Sequence, residues 1–595
     1  MSEDVSDEVS ARAWLGPTRL GIGLAQGLVL FALNKSAEVK VWPGTDHALL
    51  GALIALFALA PLILLSGVAA LRRKTLVVWS AVAGPFVLGL AYYANWRQPF
   101  PWMPYQSSTL IGEDAFAIAI AVFIGHHLVA AGDRERRWVA SYPAYYDAAW
   151  KSTVQLVLSG LFLGVFWGLL WLGAALFKLI GISSFQDIIQ KDWFAFPATG
   201  VVFAAAVHLT DARASLTRGV RTILLALLSW LMPLMAAIAA AFLIALPFTG
   251  LGPLWQTHAA SNVLLSAAAA MVVLLNATYH DGTPERRPIV VLRWAGRLAA
   301  VLIAPLVLIA IYGVVLRVQQ YGWSPQRIVA LACAVVGACY GIGYLFAAVL
   351  PGPWLRPLER TNIVTAVIVI GVILALFSPI ADPARISVAD QVARLDSGKT
   401  PADRFDFASL KFQGARFGRD ALKALEARKT GPGAALIASA AATAEKQEFP
   451  FNVQLPPRQL AARITVYPKG KALPRSFVDQ RWDNPDNEYV LGPCVARAQD
   501  CDGFLIDLDG DGIDEVVLAN ADTLWVYQVG PAGLWQPVGQ LLGIDAKLRD
   551  AMRAGSVAPV PARWKDLKVG QQRLRFSPSD LPSNVRLQPL SVFTK

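Results

Sequence analysis

The chain has 595 residues, 55% of them hydrophobic and 16% charged, with a net charge of +11, 4 cysteines and a mean hydropathy of +0.46. Soluble domains average about 25% charged residues, so the composition argues against a single soluble body. It excludes a chain dominated by disorder, whose signature is low hydrophobicity with high net charge, and a scaffold built on disulfides.

The charge divides at Ala381, with 25 Lys and Arg against 17 Asp and Glu before it and 28 against 25 after it, a net +8 and +3. Residues 1–13 are an acidic head, read as a cytoplasmic tail. A weak apolar segment from about Trp14 to Asn34 carries Arg19 inside it. Apolar stretches without a charge, long enough at about 20 residues to cross a bilayer, follow at 47–71, 75–96, 115–132, 152–177, 193–210, 298–316, 328–355 and 361–381. Residues 222–280 carry no charge over 59 positions, room for two spans turned near Pro247, Gly250, Gly252 and Pro253. Eleven spans are predicted within 14–381. The acidic head has the wrong sign for a cleavable signal, so the first span is read as an uncleaved anchor.

Short cytoplasmic loops are enriched in Lys and Arg. The loops after spans 2, 4, 6, 8 and 10 hold fifteen such residues, among them Arg72, Arg136, Arg213, Arg286 and Arg360, and the alternate loops hold six. This predicts a cytoplasmic N-terminus and, because eleven is odd, an extracytoplasmic region after 381. Much of the positive balance is thereby topogenic, and nucleic-acid binding receives no support.

Buried ionisable groups in a span default to function, and here they are few. His126, His127 and His208 read as packing or interfacial histidines, since metal sites need three or four convergent ligands. Glu113 and Asp114 are the candidates for a membrane-embedded enzyme. Pro61, Pro85, Pro233 and Pro305 offer helix breaks that a carrier would use, although proline is common in ordinary spans. Gly160, Gly164 and Gly168, and Gly337 with Gly341, repeat every four residues and bare one helix face. Packing within the chain is the expected use, and dimerisation the alternative. Cys333 and Cys339 read as small buried apolar residues.

Residues 382–455 are polar and Ala-rich, a juxtamembrane stem of two or three helices. Residues 456–595 change to short β-type runs, ARITVYP, GFLIDLD, EVVLAN, TLWVYQVG, WQPVGQLL and QRLRFSP, with a helix around Asp545 to Arg553. This predicts a small antiparallel β region. Within it stands DLDGDGIDE. Asp507, Asp509 and Asp511 with Gly512 have the spacing of a loop that wraps oxygen ligands around a hard cation, the Ile513 carbonyl can join them, and Glu515 supplies a further carboxylate. An EF-hand would place an acid at Leu518 and a helix after the loop, whereas EVVLAN reads as a strand. An acidic β-turn without metal is the competing reading. Cys494 and Cys501 lie just before the loop and are expected to form a disulfide in an oxidising compartment.

The strand–DxDxDG–strand order over Phe504 to Tyr527 resembles the calcium loop of FG-GAP and VCBS repeats, in one copy; the resemblance implies Asp507, Asp509, Asp511 and Glu515 as side-chain ligands. Several phrases in the first part, including Tyr321-Gly322-Trp323 followed by Arg327 and Asp382-Pro383-Ala384-Arg385, resemble the bacterial inner-membrane proteins grouped as domain of unknown function family 4153, over most of residues 15–425. That family brings no activity. The YGWSPQR segment reads as an interfacial loop that starts the next helix at Ser324-Pro325, with Tyr321, Trp323 and Arg327 as a possible ligand or interface set.

The expectation is therefore an all-α polytopic membrane domain of about eleven transmembrane helices followed by a small α+β extracytoplasmic domain. The protein is expected to lie in a bacterial inner membrane and to be non-enzymatic, with a periplasmic calcium-binding domain that serves a structural, sensing or interaction role toward an envelope protein. The alternative is a transporter or flippase of a small or lipid-like substrate.

Overall fold

The computed structural model describes residues 14–98, 113–252, 254, 260–283, 288–446, 463–467, 469–480, 494–495, 501–520, 523–530, 533–542, 545–560, 567–569 and 572–574. The tail 1–13, the turn residue Pro253, the segment 456–462 and the carboxylate of Glu113 lie outside them. The chain forms two units, Met1–Lys446 and Gln447–Lys595.

The first unit is helical: α1 Leu15–Glu38, α2 His47–Ala70, α3 Arg73–Arg97, α4 Glu113–Glu135, α5 Tyr142–Leu179, the short α6 Ser184–Ile189, α7 Asp192–Ala212, α8 Ala214–Thr249, α9 Ala260–Tyr279, α10 Val290–Tyr321, α11 Pro325–Val349 and α12 Pro357–Leu376. Eleven of these, all but α6, are long and apolar enough to cross a membrane, counted among the described residues. Pro61, Pro85, Pro233 and Pro305 lie inside continuous helices rather than at breaks.

Arg19 made the first span look weak, and the fold shows how it is accommodated. The Arg19 side chain is buried between helices, with Nε donating to the Leu65 carbonyl at 3.0 Å and Nη2 to Asp211 on α7 at 2.9 Å. Lys151 on α5 lies 3.0 Å from the other Asp211 oxygen. The α1–α7 crossing is made close by glycines. A Cβ on Gly23 would stand 2.3 Å from the Gly200 carbonyl oxygen, and one on Gly200 would stand 2.1 Å from that of Gly23. Small residues are what allow such approach between helices that gain little from apolar burial in lipid.

Gly337 and Gly341 also pack within the chain, against Val307 and Ala304 of α10. Gly160, Gly164 and Gly168 do not, for a Cβ there would meet nothing within 4 Å. The expected in-chain packing thus holds for α11 and fails for α5, which keeps Leu161, Leu169 and Leu176 exposed.

After α12 come four helices rather than two or three: α13 Pro383–Asp396, α14 Phe407–Gln413, α15 Ala415–Glu426 and α16 Ala434–Lys446. Val388, Leu395, Leu410, Leu422, Ile437 and Ala441 from all four form one apolar core. Helix α13 begins where Asp382 accepts from the Ala384 and Arg385 amides at 2.8 and 3.0 Å, with Pro383 in the first turn, a side-chain cap followed by a residue that needs no amide donor.

The second unit holds a sheet of β1 Ile464–Tyr467, β2 Cys501–Ile506, β3 Glu515–Asn520, β4 Thr523–Val529 and β5 Trp535–Leu542, in that order. Helix α17 Arg475–Asp479 falls between β1 and β2, and α18 Ala546–Arg553 follows β5. A hairpin of β6 Leu567–Val569 and β7 Gln572–Leu574 stands apart from the sheet. Pairing is antiparallel from β2 to β5, but β1 runs parallel to β2, a departure from the all-antiparallel expectation. A parallel pair needs a long crossover, and the chain between β1 and β2 provides it.

Alternation along the strands buries both faces. Val516, Leu518 and Tyr527 pack with Phe477 and Trp535, while Val517, Ala519 and Val526 pack on the other face with Phe504 and Met552 of α18. Arg553 anchors α18, reaching buried Asp502 at 2.7 Å.

Candidate metal loop and the polar positions of the membrane unit

The loop 507–514 joins the antiparallel pair β2 and β3, so a strand precedes and a strand follows it, and the EF-hand arrangement is absent here. Gly510 and Gly512 have φ of +79° and +87°, a left-handed backbone that residues with a Cβ adopt at a cost. Within these turns the acids accept hydrogen bonds from the loop's own amides. Asp507 accepts from the Gly510 amide at 2.7 Å and the Gly512 amide at 3.0 Å, Asp509 from the Asp511 amide at 3.1 Å, and Asp511 from the Ile513 amide at 2.7 Å.

The result is that one carboxylate oxygen from each of Asp507, Asp509 and Asp511 lies within 4.8 Å of the others. Glu515 stands beside this group, buried at the start of β3, with Oε2 accepting from the Leu508 amide at 2.7 Å. Burial raises its pKa, and repulsion from Asp509, Asp511 and Asp507 pushes the same way. Gln528 of β4 donates to Asp509, and Lys471 lies 3.4 Å from Asp514. Three acceptor-rich carboxylates converging beside a fourth are chemically suited to a hard cation with oxygen ligands. The Ile513 side chain is exposed. Cys494 and Cys501 are disulfide-bonded, S–S 2.07 Å, and both lie in the core with Phe477, Tyr527 and Trp535.

The YGWSPQR segment is the receiving half of a joint. Ser324 caps α11 through the Arg327 amide, with Pro325 in its first turn, as helix-initiating chemistry requires. The Trp323 amide donates to Asp390 of α13 at 2.8 Å, Gln391 donates to the Tyr321 and Trp323 carbonyls at 3.1 and 2.9 Å, and Arg394 donates to the Val318 carbonyl at 2.9 Å. A Cβ on Gly322, whose φ is +79°, would meet Arg394 and Asp390 at 2.4 Å. Arg327 turns back onto its own loop, donating to the Gly322 carbonyl at 2.6 Å and lying over Tyr321 at 5.6 Å.

Reading charges alone missed a neutral polar cluster in the membrane unit. Tyr142 donates to Asn276 at 3.1 Å, Asn276 to Tyr344 at 2.8 Å, Tyr344 to Asn362 at 2.6 Å, and Asn362 back to Tyr142 at 3.1 Å. Asparagine within an apolar run was the available signal. Of the three histidines, His126 pairs with Ser66 at 2.9 Å and His127 with the Phe123 carbonyl at 2.6 Å. Asp114 is engaged by Arg97 at 3.3 Å.

Eleven membrane-length helices with buried, paired charges and neutral polar residues between them define a multi-pass membrane protein. Residues 48–427 match the family described as Domain of unknown function (DUF4153), well over half of the chain, and the chain belongs to that family. No curated protein and no solved structure matches it.

Proposed function

We propose that this is a non-enzymatic polytopic inner-membrane protein of a bacterium, whose C-terminal region binds calcium in the 507–515 loop and presents the loaded loop to another envelope component. The observation that carries the reading is the convergence of Asp507, Asp509 and Asp511 within 4.8 Å. Three carboxylates this close repel one another unless a cation or protons intervene. Glu515 and the Ile513 carbonyl would complete the set, and the likeness to FG-GAP and VCBS loops favours calcium. The ion would act structurally or as a sensor.

The cation excess of the loops after spans 2, 4, 6, 8 and 10 supports a cytoplasmic N-terminus. The Cys494–Cys501 disulfide supports a periplasmic location for the C-terminal region. Transport is less favoured, because the neutral cluster Tyr142, Asn276, Tyr344 and Asn362 satisfies its own donors and acceptors. Thermal unfolding of the purified full chain with millimolar calcium against chelator tests the metal reading: an upward shift that is lost in D509A/D511A supports it, and no shift removes it. A C-terminal reporter active only in the periplasm tests the topology.

A further inference from the structure

The second half of α3 and the end of α12 flank an open groove of about 310 Å3, walled by Pro85, Phe86, Gly89, Tyr93, Phe377 and Pro379. Its volume falls at the lower end of ligand sites, about 300–1,000 Å3, and its lining is almost wholly apolar. Gly89 creates much of the room, since a Cβ there would meet nothing within 4 Å. The walls belong to two membrane-length helices and the residues just after the second.

Arginines gather at the stem end of this groove. Arg97, buried, stacks over the wall residue Phe377 at 5.4 Å, and its two terminal nitrogens lie 3.2 Å from Asp382 and 3.3 Å from Asp114. Its Nε has no hydrogen-bond partner among the described residues. Exposed Arg385 reaches the carbonyl of Ile380 at 3.5 Å, one residue beyond the wall residue Pro379. Exposed Arg416 on α15 lies 4.5 Å over the ring of Trp96, next to Arg97. Among the described residues, the carboxylates of Asp382 and Asp114 are both held by Arg97, and Arg385 and Arg416 add two exposed cations at this end.

We propose that this groove seats an acyl chain of an anionic glycerophospholipid from the leaflet beside the stem helices, with the lipid phosphate against Arg385 and Arg416. An aliphatic chain needs dispersion contact and no polar partner, which matches a wall without charge. The planar guanidinium fork matches phosphate oxygens, and positive charge in excess at the groove end selects an anionic headgroup over a zwitterionic one. A partner helix is disfavoured, because a space of this size admits a chain but not the roughly 10 Å diameter of a helix with side chains.

The test uses the full chain in nanodiscs containing phosphatidylglycerol with a diazirine on one acyl chain, compared with phosphatidylcholine carrying the same tail, and maps the photo-adducts. Adducts concentrated on 85–93 and 374–379 are expected. Gly89→Phe, which plugs the open space, should reduce them at least tenfold, while labelling of the exposed face of α5 stays unchanged and reports an intact bundle. Gly89→Leu, a smaller plug, should give an intermediate loss. R385Q/R416Q should bring phosphatidylglycerol labelling down at least threefold, to the level of phosphatidylcholine. Labelling no stronger than on α5, or unaffected by both plugs, overturns the groove. Equal labelling by the two lipids in the unaltered protein overturns the anionic headgroup.

Discussion

Arg19 of α1 donates to Asp211 of α7 at 2.9 Å, with the guanidinium side chain 2% exposed. The two partners are unequal. Asp211 retains Lys151 at 3.0 Å when Arg19 is removed, whereas Arg19 without Asp211 keeps, among the described residues, only the Leu65 carbonyl. Removing one partner of a buried ion pair costs about 3–5 kcal/mol because the other charge is left buried. Asp211→Ala should therefore lower stability by that order, and Arg19→Met by clearly less. Thermal unfolding of the detergent-solubilised protein checks the order, and equal losses would argue against it.

The glycines give a second contrast. Gly23→Ala places a methyl 2.3 Å from the Gly200 carbonyl oxygen, so α1 and α7 must separate, an overpacking cost of about 1–3 kcal/mol. Gly164→Ala meets open space and improves helix propensity, by about 1 kcal/mol at most. The first substitution should lower the unfolding temperature and the second should leave it unchanged or raise it slightly.

The joint between the YGW loop and α13 rests on a position that tolerates no side chain. Gly322→Ala combines a left-handed backbone with contacts of 2.4 Å to Arg394 and Asp390, and should detach the stem from α10 and α11. Limited proteolysis is the readout, with faster cleavage within 383–446 expected while α1 to α12 stay protected. Unchanged cleavage would mean that the stem is held elsewhere.

Glu515 gives the acidic loop a pH signature. Its folded pKa lies above the ordinary value of 4.5, first through burial and then through Asp509, Asp511 and Asp507. A carboxylate with a raised folded pKa binds more protons folded than unfolded, so stability without metal falls as pH rises from about 4.5 through the raised value. Calcium bound in the loop, as proposed, would reverse the sign, because ligands must be deprotonated to bind it. In chelator, the unfolding transition of the C-terminal sheet should move down in temperature over that window, and E515Q should flatten the dependence. With saturating calcium it should move up.

Much of this architecture is legible in single windows of sequence. The spans show as charge-free apolar runs, β2 to β5 as short β-type runs between turn residues, and the start of α18 as the cap residue Asp545. What escapes such windows is pairing over distance. Nothing near Arg19 announces Asp211, nothing near β1 announces a parallel neighbour beginning at Cys501, and Asn276 and Asn362 acquire meaning only when Tyr142 and Tyr344 meet them. The phrases Tyr321-Gly322-Trp323 and Asp382-Pro383-Ala384-Arg385 are of this kind: one lies in the loop that receives α13, and the other starts that helix. The acidic loop 507–514 is the opposite case, since its acids and glycines are contiguous and its geometry is local.

Isothermal titration of the purified, metal-free full chain with calcium tests the central claim most directly. Saturable heat from one site, absent in D509A/D511A and weakened in E515Q, is the predicted result. Absence of heat at millimolar calcium, or heat that survives D509A/D511A unchanged, would contradict it.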